Sequence, residues 1–494
     1  MPSEVGPYDG RRARRKRCDA CVQRRIKCHG GSPCENCKRT NRVCKTPVKS
    51  QMTERIFVSP KGKSLSSAVK NSPRPPFLSI TRGAEVSLPR PVSPKGLERY
   101  LPYFFASFLP MNIFTSDRVS MELDLIDLAK TSPALRGAMY AVTASHGEQT
   151  CSIDLANVDV QSSIAESLEA YNHSVCCIRK GIDANELLDD PSALWTTFLL
   201  GLFELMHDST GENWLSHFLH GTCTILRLQD PASLASPDIK DVRKRTFFLA
   251  TRTFEISRSL IYSSPSFLSE PRWTVALAKL WNRENAALWH PKEALFDILP
   301  HISDLSIRAA KFCEAVDDVA IGSENDMIRS LADEGLVLRE LLQQWWKDAT
   351  AWESAAEQLR YSQNKSQLPD MELMVGHLYY HAISIYLSGT YDYHAPWTKP
   401  GAPSAPILPR PIIEWHVAEI LRLSQALLNH GTAGVLLFFP LRVAGARAAE
   451  VGPRCEILSL LHTVERRGYV VAAAFTTDLS QLWANLKGGD ENCN

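Results

Sequence analysis

Six cysteines fall within 27 residues: Cys18, Cys21, Cys28, Cys34, Cys37 and Cys44, separated by two, six, five, two and six residues. A Cys-x-x-Cys turn brings two thiols to one point, and zinc takes four soft ligands in a tetrahedron about 2.3 Å from each sulfur. The pair occurs twice, each time followed after six residues by another cysteine. Two tetrahedral ions need eight ligand places, and six thiolates fill them when two of the six bridge both ions. The quasi-repeat makes the first cysteine of each half, Cys18 and Cys34, the natural bridges. One zinc ion then takes Cys18, Cys21, Cys28 and Cys34, and the other takes Cys34, Cys37, Cys44 and Cys18. His29 is a spare donor that six thiolates leave unused. So short a segment buries no core, so metal binding is expected to supply most of its folding energy.

Charge points the same segment at a polyanion. Arg11, Arg12, Arg14, Arg15, Lys16 and Arg17, interrupted only by Ala13, run directly into the first cysteine. Residues 1–49 carry 14 Lys/Arg against 4 Asp/Glu, and residues 50–96 carry 8 against 2, whereas the remainder carries 33 against 48. A basic head on an acidic body suits a nucleic-acid partner at the head and argues against a body that lies along nucleic acid. The basic run reads as a nuclear-import signal and a phosphate-binding arm. The other seven of the thirteen cysteines are scattered without pattern, and the chain opens on polar and basic residues. Reduced thiols in an intracellular protein are expected, with the scattered cysteines as buried small hydrophobes. No apolar run reaches the roughly 18 residues of a membrane span.

The segment 18–44 resembles the fungal binuclear zinc cluster family, the Zn2Cys6 DNA-binding module. Its cysteine spacing fits that family without a gap, and Pro33 stands directly before the fourth cysteine. The resemblance implies two zinc ions per chain, a nuclear transcription factor of RNA polymerase II genes, and double-stranded DNA as partner. It further implies that the short helix opened by Cys18 and Cys21 points into the major groove over a C/G-rich, CGG-type triplet. By position, Arg24 and Arg25 are then the base-reading residues, with Lys27 and Arg17 nearer phosphates. Arginine donating to guanine O6 and N7 is the matching chemistry. Lys38, Arg39, Arg42 and Lys45 fall to phosphate or solvent.

Behind the cluster, residues 46–96 are rich in proline and serine and read as a flexible linker without a heptad repeat. Helical periodicity begins near Leu97, with Tyr100, Leu101, Phe104, Phe105 and Phe108 at helical spacing across Pro102. Expected helices follow over 134–146, 193–206, 214–228, 242–261, 309–319, 326–346, 371–387, 412–428, 435–451, 456–468 and 477–486. One apolar stripe is expected along Ile164, Leu168, Tyr171, Val175 and Ile178, and residues 263–272 read as a loop. The reading is thus a basic arm (1–17), a cluster (18–45), a disordered linker (46–96) and one large all-α domain (97–490).

This body resembles the fungal-specific transcription factor domain. The resemblance rests on Ser132-Pro133-Ala134-Leu135 leading to His146, on Tyr171, on Leu199 to Glu204, on Trp214 to Gly221 and on Thr246 to Ile261. It implies a regulatory domain that receives a small-molecule inducer or co-regulator and performs no catalysis. Homodimerisation and half-site spacing would then be decided by the body. Two other readings are open to the sequence. In one, the body binds a ligand or partner and the zinc module touches DNA weakly or not at all. In the other, the chain is an enzyme. Glu212, His217, His220 and Cys223 could form a metal site, but they read as packing, as do Trp345 and Trp346, and no phosphate loop or nucleophile elbow occurs.

Overall fold

The computed structural model describes residues 35–40, 100–115, 118–149, 160–210, 219–281, 289–315, 325–362, 369–432 and 434–490. Residues 35–40 belong to one compact unit and the other described residues to a second. The proposed linker, 46–96, lies outside the described residues. The second unit is helical throughout, with no strand among the described residues.

Its helices begin where the sequence supplies caps. Ser132 Oγ accepts the Leu135 N–H at 3.1 Å, and Pro133, which has no N–H to satisfy, starts the helix α2. Numbered along the chain, the longer helices are α1 (Arg118–Thr131), α2 (Pro133–Gln149), α3 (Val160–Asp183), α4 (Ala193–His207) and α5 (Leu219–Leu228). There follow α6 (Ile239–Tyr262), α7 (Pro271–Leu280), α8 (Pro291–Ala315), α9 (Asn325–Ser362) and α10 (Met371–Asp392). The last are α11 (Arg410–Asn429), α12 (Phe438–Arg447), α13 (Val451–Arg466) and α14 (Ala472–Asp490). Asp370 caps α10 by accepting the Leu373 N–H at 3.0 Å.

Before α1, the expected aromatic stripe survives in altered form. Phe104–Phe108 winds as a π-turn, with the Leu109 N–H bonded to the Phe104 carbonyl. The wider turn stacks Phe104 on Phe108 at 5.7 Å and buries both. Helices α2, α3 and α4 pack together, and α10 lies against α8, α9, α11 and α12. A single apolar core runs from Tyr100 to Trp483.

Several sequence expectations need correction. Pro271 opens α7 rather than lying in a loop, because a proline at the first position loses no intrahelical bond. Helix α8 begins at Pro291 and passes through Pro300, which is buried, where 309–319 was expected. Helix α9 runs well past Trp346 to Ser362. The stripe on α3 is apolar only toward its C-terminal half: Tyr171, Val175 and Ile178 pack on the core, while Ile164 and Leu168 are exposed. Of the scattered cysteines, Cys176, Cys177, Cys223 and Cys313 are half-buried and Cys455 is exposed, so none of these five is a fully buried core residue. No helix among the described residues is long and apolar enough to cross a membrane.

Candidate functional site

In the first unit, Glu35–Arg39 forms one helical turn. Cys37 is only 2% exposed, while Lys38 and Arg39 beside it are exposed. Soft thiolates are the donors that select zinc. Cys18, Cys21, Cys28, Cys34 and Cys44 lie outside the described residues, as do His29, the run Arg11–Arg17 and the base-reading set Arg24, Arg25 and Lys27. Among the described residues, no group of three His, Cys, Asp or Glu is placed to hold a metal ion.

In the helical unit the structure joins residues that the sequence only marked separately. Tyr171 of α3 donates to Glu204 of α4 at 2.7 Å and stacks on Phe203 at 4.7 Å. His146 of α2 is fully buried; its Nδ1 lies 2.8 Å from the Tyr103 hydroxyl. Burial lowers the His146 pKa to about 4, although a backbone bond to Arg467 opposes the shift. Both contacts fix how neighbouring elements sit; neither presents a reactive group to solvent.

Periodicity alone did not flag the most strongly charged part of the interior. The Arg252 side chain of α6 is fully buried and reaches Glu293 at 2.6 Å and Asp297 at 2.6 Å. Lys292, equally buried, reaches Glu293 at 3.0 Å, Glu372 at 2.7 Å and the Phe114 carbonyl at 2.8 Å. Burial opposes charge on Arg252, Lys292 and Glu293, yet their partners prevail. Arg252 and Lys292 are held above their ordinary pKa values and Glu293 below its own. The only sequence signal was polar residues at apolar positions of α6 and α8, which periodicity reads as surface.

The residues weighed for catalysis are accounted for otherwise. Cys223 donates to Glu255 at 2.9 Å, and burial together with that carboxylate pushes its thiol well up, so it stays protonated rather than nucleophilic. Glu255 also accepts from Arg258 and Ser266. A cavity of about 20 Å³ beside them, floored by Phe198 and Phe248, has room for one water molecule. Glu212 and His217 and the His220 side chain lie outside the described residues. Trp345 is a packing residue that donates to the Pro291 carbonyl at 2.8 Å, and Trp346 stacks on Tyr380 at 4.6 Å.

Comparison with known proteins bears on this helical unit. The profile of the family described as the fungal specific transcription factor domain matches residues 99–493. No characterised protein and no solved structure matches the chain. The matched family is one of transcription factors and not of enzymes, and its match covers most of the sequence, including α1 to α14. A chain of layered helices with a buried ionic interior and this match belongs to the fungal specific transcription factor domain family and is a transcription regulator.

Proposed function

We propose that this regulator is a nuclear, zinc-dependent transcription factor that reads C/G-rich DNA through residues 18–44. The observation that carries the reading is the spacing of Cys18, Cys21, Cys28, Cys34, Cys37 and Cys44 directly behind the run Arg11–Arg17. The burial of Cys37 between a short turn and exposed Lys38 and Arg39 supports it. When bound, two zinc ions would cross-link the six thiolates and replace the missing core. Held on that frame, Arg24 and Arg25 donate to base edges, Lys27 and Arg17 meet phosphates, and Arg11 to Arg17 add sequence-independent attraction and an import signal. The acidic body leaves the DNA contact to the head.

The test is a site selection from random duplexes with the full chain, followed by binding of Arg25→Ala. Selection of a C/G-rich site, with its preference lost in Arg25→Ala, is the expected result. Full retention of that preference would overturn the assignment of Arg25. Selection of no site at all would favour a body that acts through a partner.

A further inference from the structure

Helices α10 and α11 hold a pair of histidines in direct contact. His381 of α10 is 1% exposed and His416 of α11 is 4% exposed. Their Nδ1 atoms lie 2.9 Å apart, a hydrogen-bond distance. Two identical ring nitrogens share such a bond only when one carries the proton and the other does not. The two rings must therefore be opposite tautomers, and only one proton fits between them. Aromatic rings enclose the pair: Trp346 of α9 at 5.3 Å, Tyr380 at 5.4 Å and Trp415 at 5.0 Å from the His381 ring.

We propose that the His381–His416 bond is an acid-sensitive joint between α10 and α11, closed when both rings are neutral and opened when both take up protons. Double protonation leaves two donors facing each other at 2.9 Å, with like charges and no acceptor between them. The groups acting on the pair do not relieve that repulsion. His377, one turn before His381, and Arg422 on α11 both disfavour a positive charge on His381. Arg422 is itself occupied by Glu419 at 2.7 Å. Glu419 and Asp370 act on His377, and Arg422 opposes them there too. The neighbouring α9 contributes the Trp346 ring. Burial, first of all, keeps His381 near pKa 3 and His416 near 4, so both rings are neutral at neutral pH.

A joint of this kind lies between α10, which packs on α8, α9, α11 and α12, and α11, which packs on α10, α12 and α13. Opening it would loosen the layer that α10 and α11 form. In a transcription regulator this is a place where proton activity alters the body's packing.

The experiment is hydrogen exchange of the full chain from pH 7 to pH 4.5, corrected for intrinsic rates, read on peptides covering 376–386 and 410–420. Below the ordinary histidine pKa, protection in these peptides is expected to fall by about tenfold per pH unit for each histidine that charges on opening. In His416→Asn the amide replaces Nδ1 in position but does not titrate. Protection should then lose the contribution of at least one proton in these two peptides, while the α2 peptide around His146 keeps its own pH dependence. His381→Asn is the reciprocal variant and serves if the first does not fold at pH 7. Equal protection across the pH range in the unmodified chain, or an unchanged slope in both variants, would overturn the proposal.

Discussion

Tyr171 and Glu204, one on α3 and one on α4, are joined by a 2.7 Å hydrogen bond that lies beside the Tyr171–Phe203 stack. Sequence reading had marked both residues, 33 positions apart, as pieces of one family pattern, and the fold turns them into one contact. The bond to a carboxylate raises the Tyr171 pKa, after burial. Tyr171→Phe keeps the stack and removes the donor. A loss of about 1.5–3 kcal/mol in urea unfolding is expected, the range for a hydrogen bond to a charged acceptor. A change under 0.5 kcal/mol would show that the bond is not a structural tie.

The buried ionic group makes a larger prediction. Lys292→Met leaves Glu293 and Glu372 without their shared cation, and a loss of about 3–5 kcal/mol is expected. Adding Glu372→Gln to Lys292→Met should recover part of it, because fewer uncompensated charges remain buried. Chemical denaturation of Lys292→Met, Glu372→Gln and the double variant decides the point, and strict additivity of the two effects would count against a shared network.

His146 predicts a pH dependence with a definite sign. Its folded pKa of about 4 lies below the ordinary value of 6.5, so the unfolded chain takes up the proton first. Its contribution to stability is intact above pH 6.5 and is lost as pH falls from 6.5 toward 4, at about 1.4 kcal/mol per pH unit. Urea midpoints at pH 7, 6 and 5 should fall accordingly. His146→Gln should flatten that slope by about one proton, and a slope equal to that of the unmodified chain would contradict the assignment.

Gly335 of α9 tests the packing of α9 on α10. A Cβ at this position would stand 2.1 Å from the Tyr391 hydroxyl, which donates to the Leu331 carbonyl at 2.7 Å. Gly335→Ala raises helix propensity by about 1 kcal/mol yet must push Tyr391 off its partner. A net loss of about 1–3 kcal/mol is expected. If Gly335→Ala were stabilising in thermal unfolding, the close approach of these helices would be wrong.

Metal removal separates the two units. Chelation should abolish DNA binding while leaving the circular dichroism of the helical unit almost unchanged, because its core contains no metal ligand cluster among the described residues. Metal analysis should return two zinc ions per chain; one per chain would rule out bridging by Cys18 and Cys34. Arg14→Ala should weaken all DNA sequences alike and lower the salt dependence, unlike Arg25→Ala.

Much of the helical body was legible in the residues. The Ser132-Pro133 start and the apolar run of α4 each follow from local rules of helix capping and periodicity. What periodicity missed are cases where context overrides the local rule. Pro300 lies inside α8, and Ile164 and Leu168 face solvent on α3 although their spacing places them on one apolar stripe with Tyr171. The end of α9 was missed because Trp352 and its neighbours form a mixed surface with no clear apolar stripe.

The sequence by itself determined the six-cysteine spacing, the basic head against an acidic body and the helical character of the described residues beyond Tyr100. These are properties of residue type and interval, which need no knowledge of what touches what. Tertiary structure alone decided that Lys292, Arg252, Glu293 and Glu372 form one buried group, and that His381 meets His416 across 35 residues. Such contacts depend on the crossing of helices far apart in the chain. Burial, which sets both their strength and their response to pH, exists only once those helices have packed.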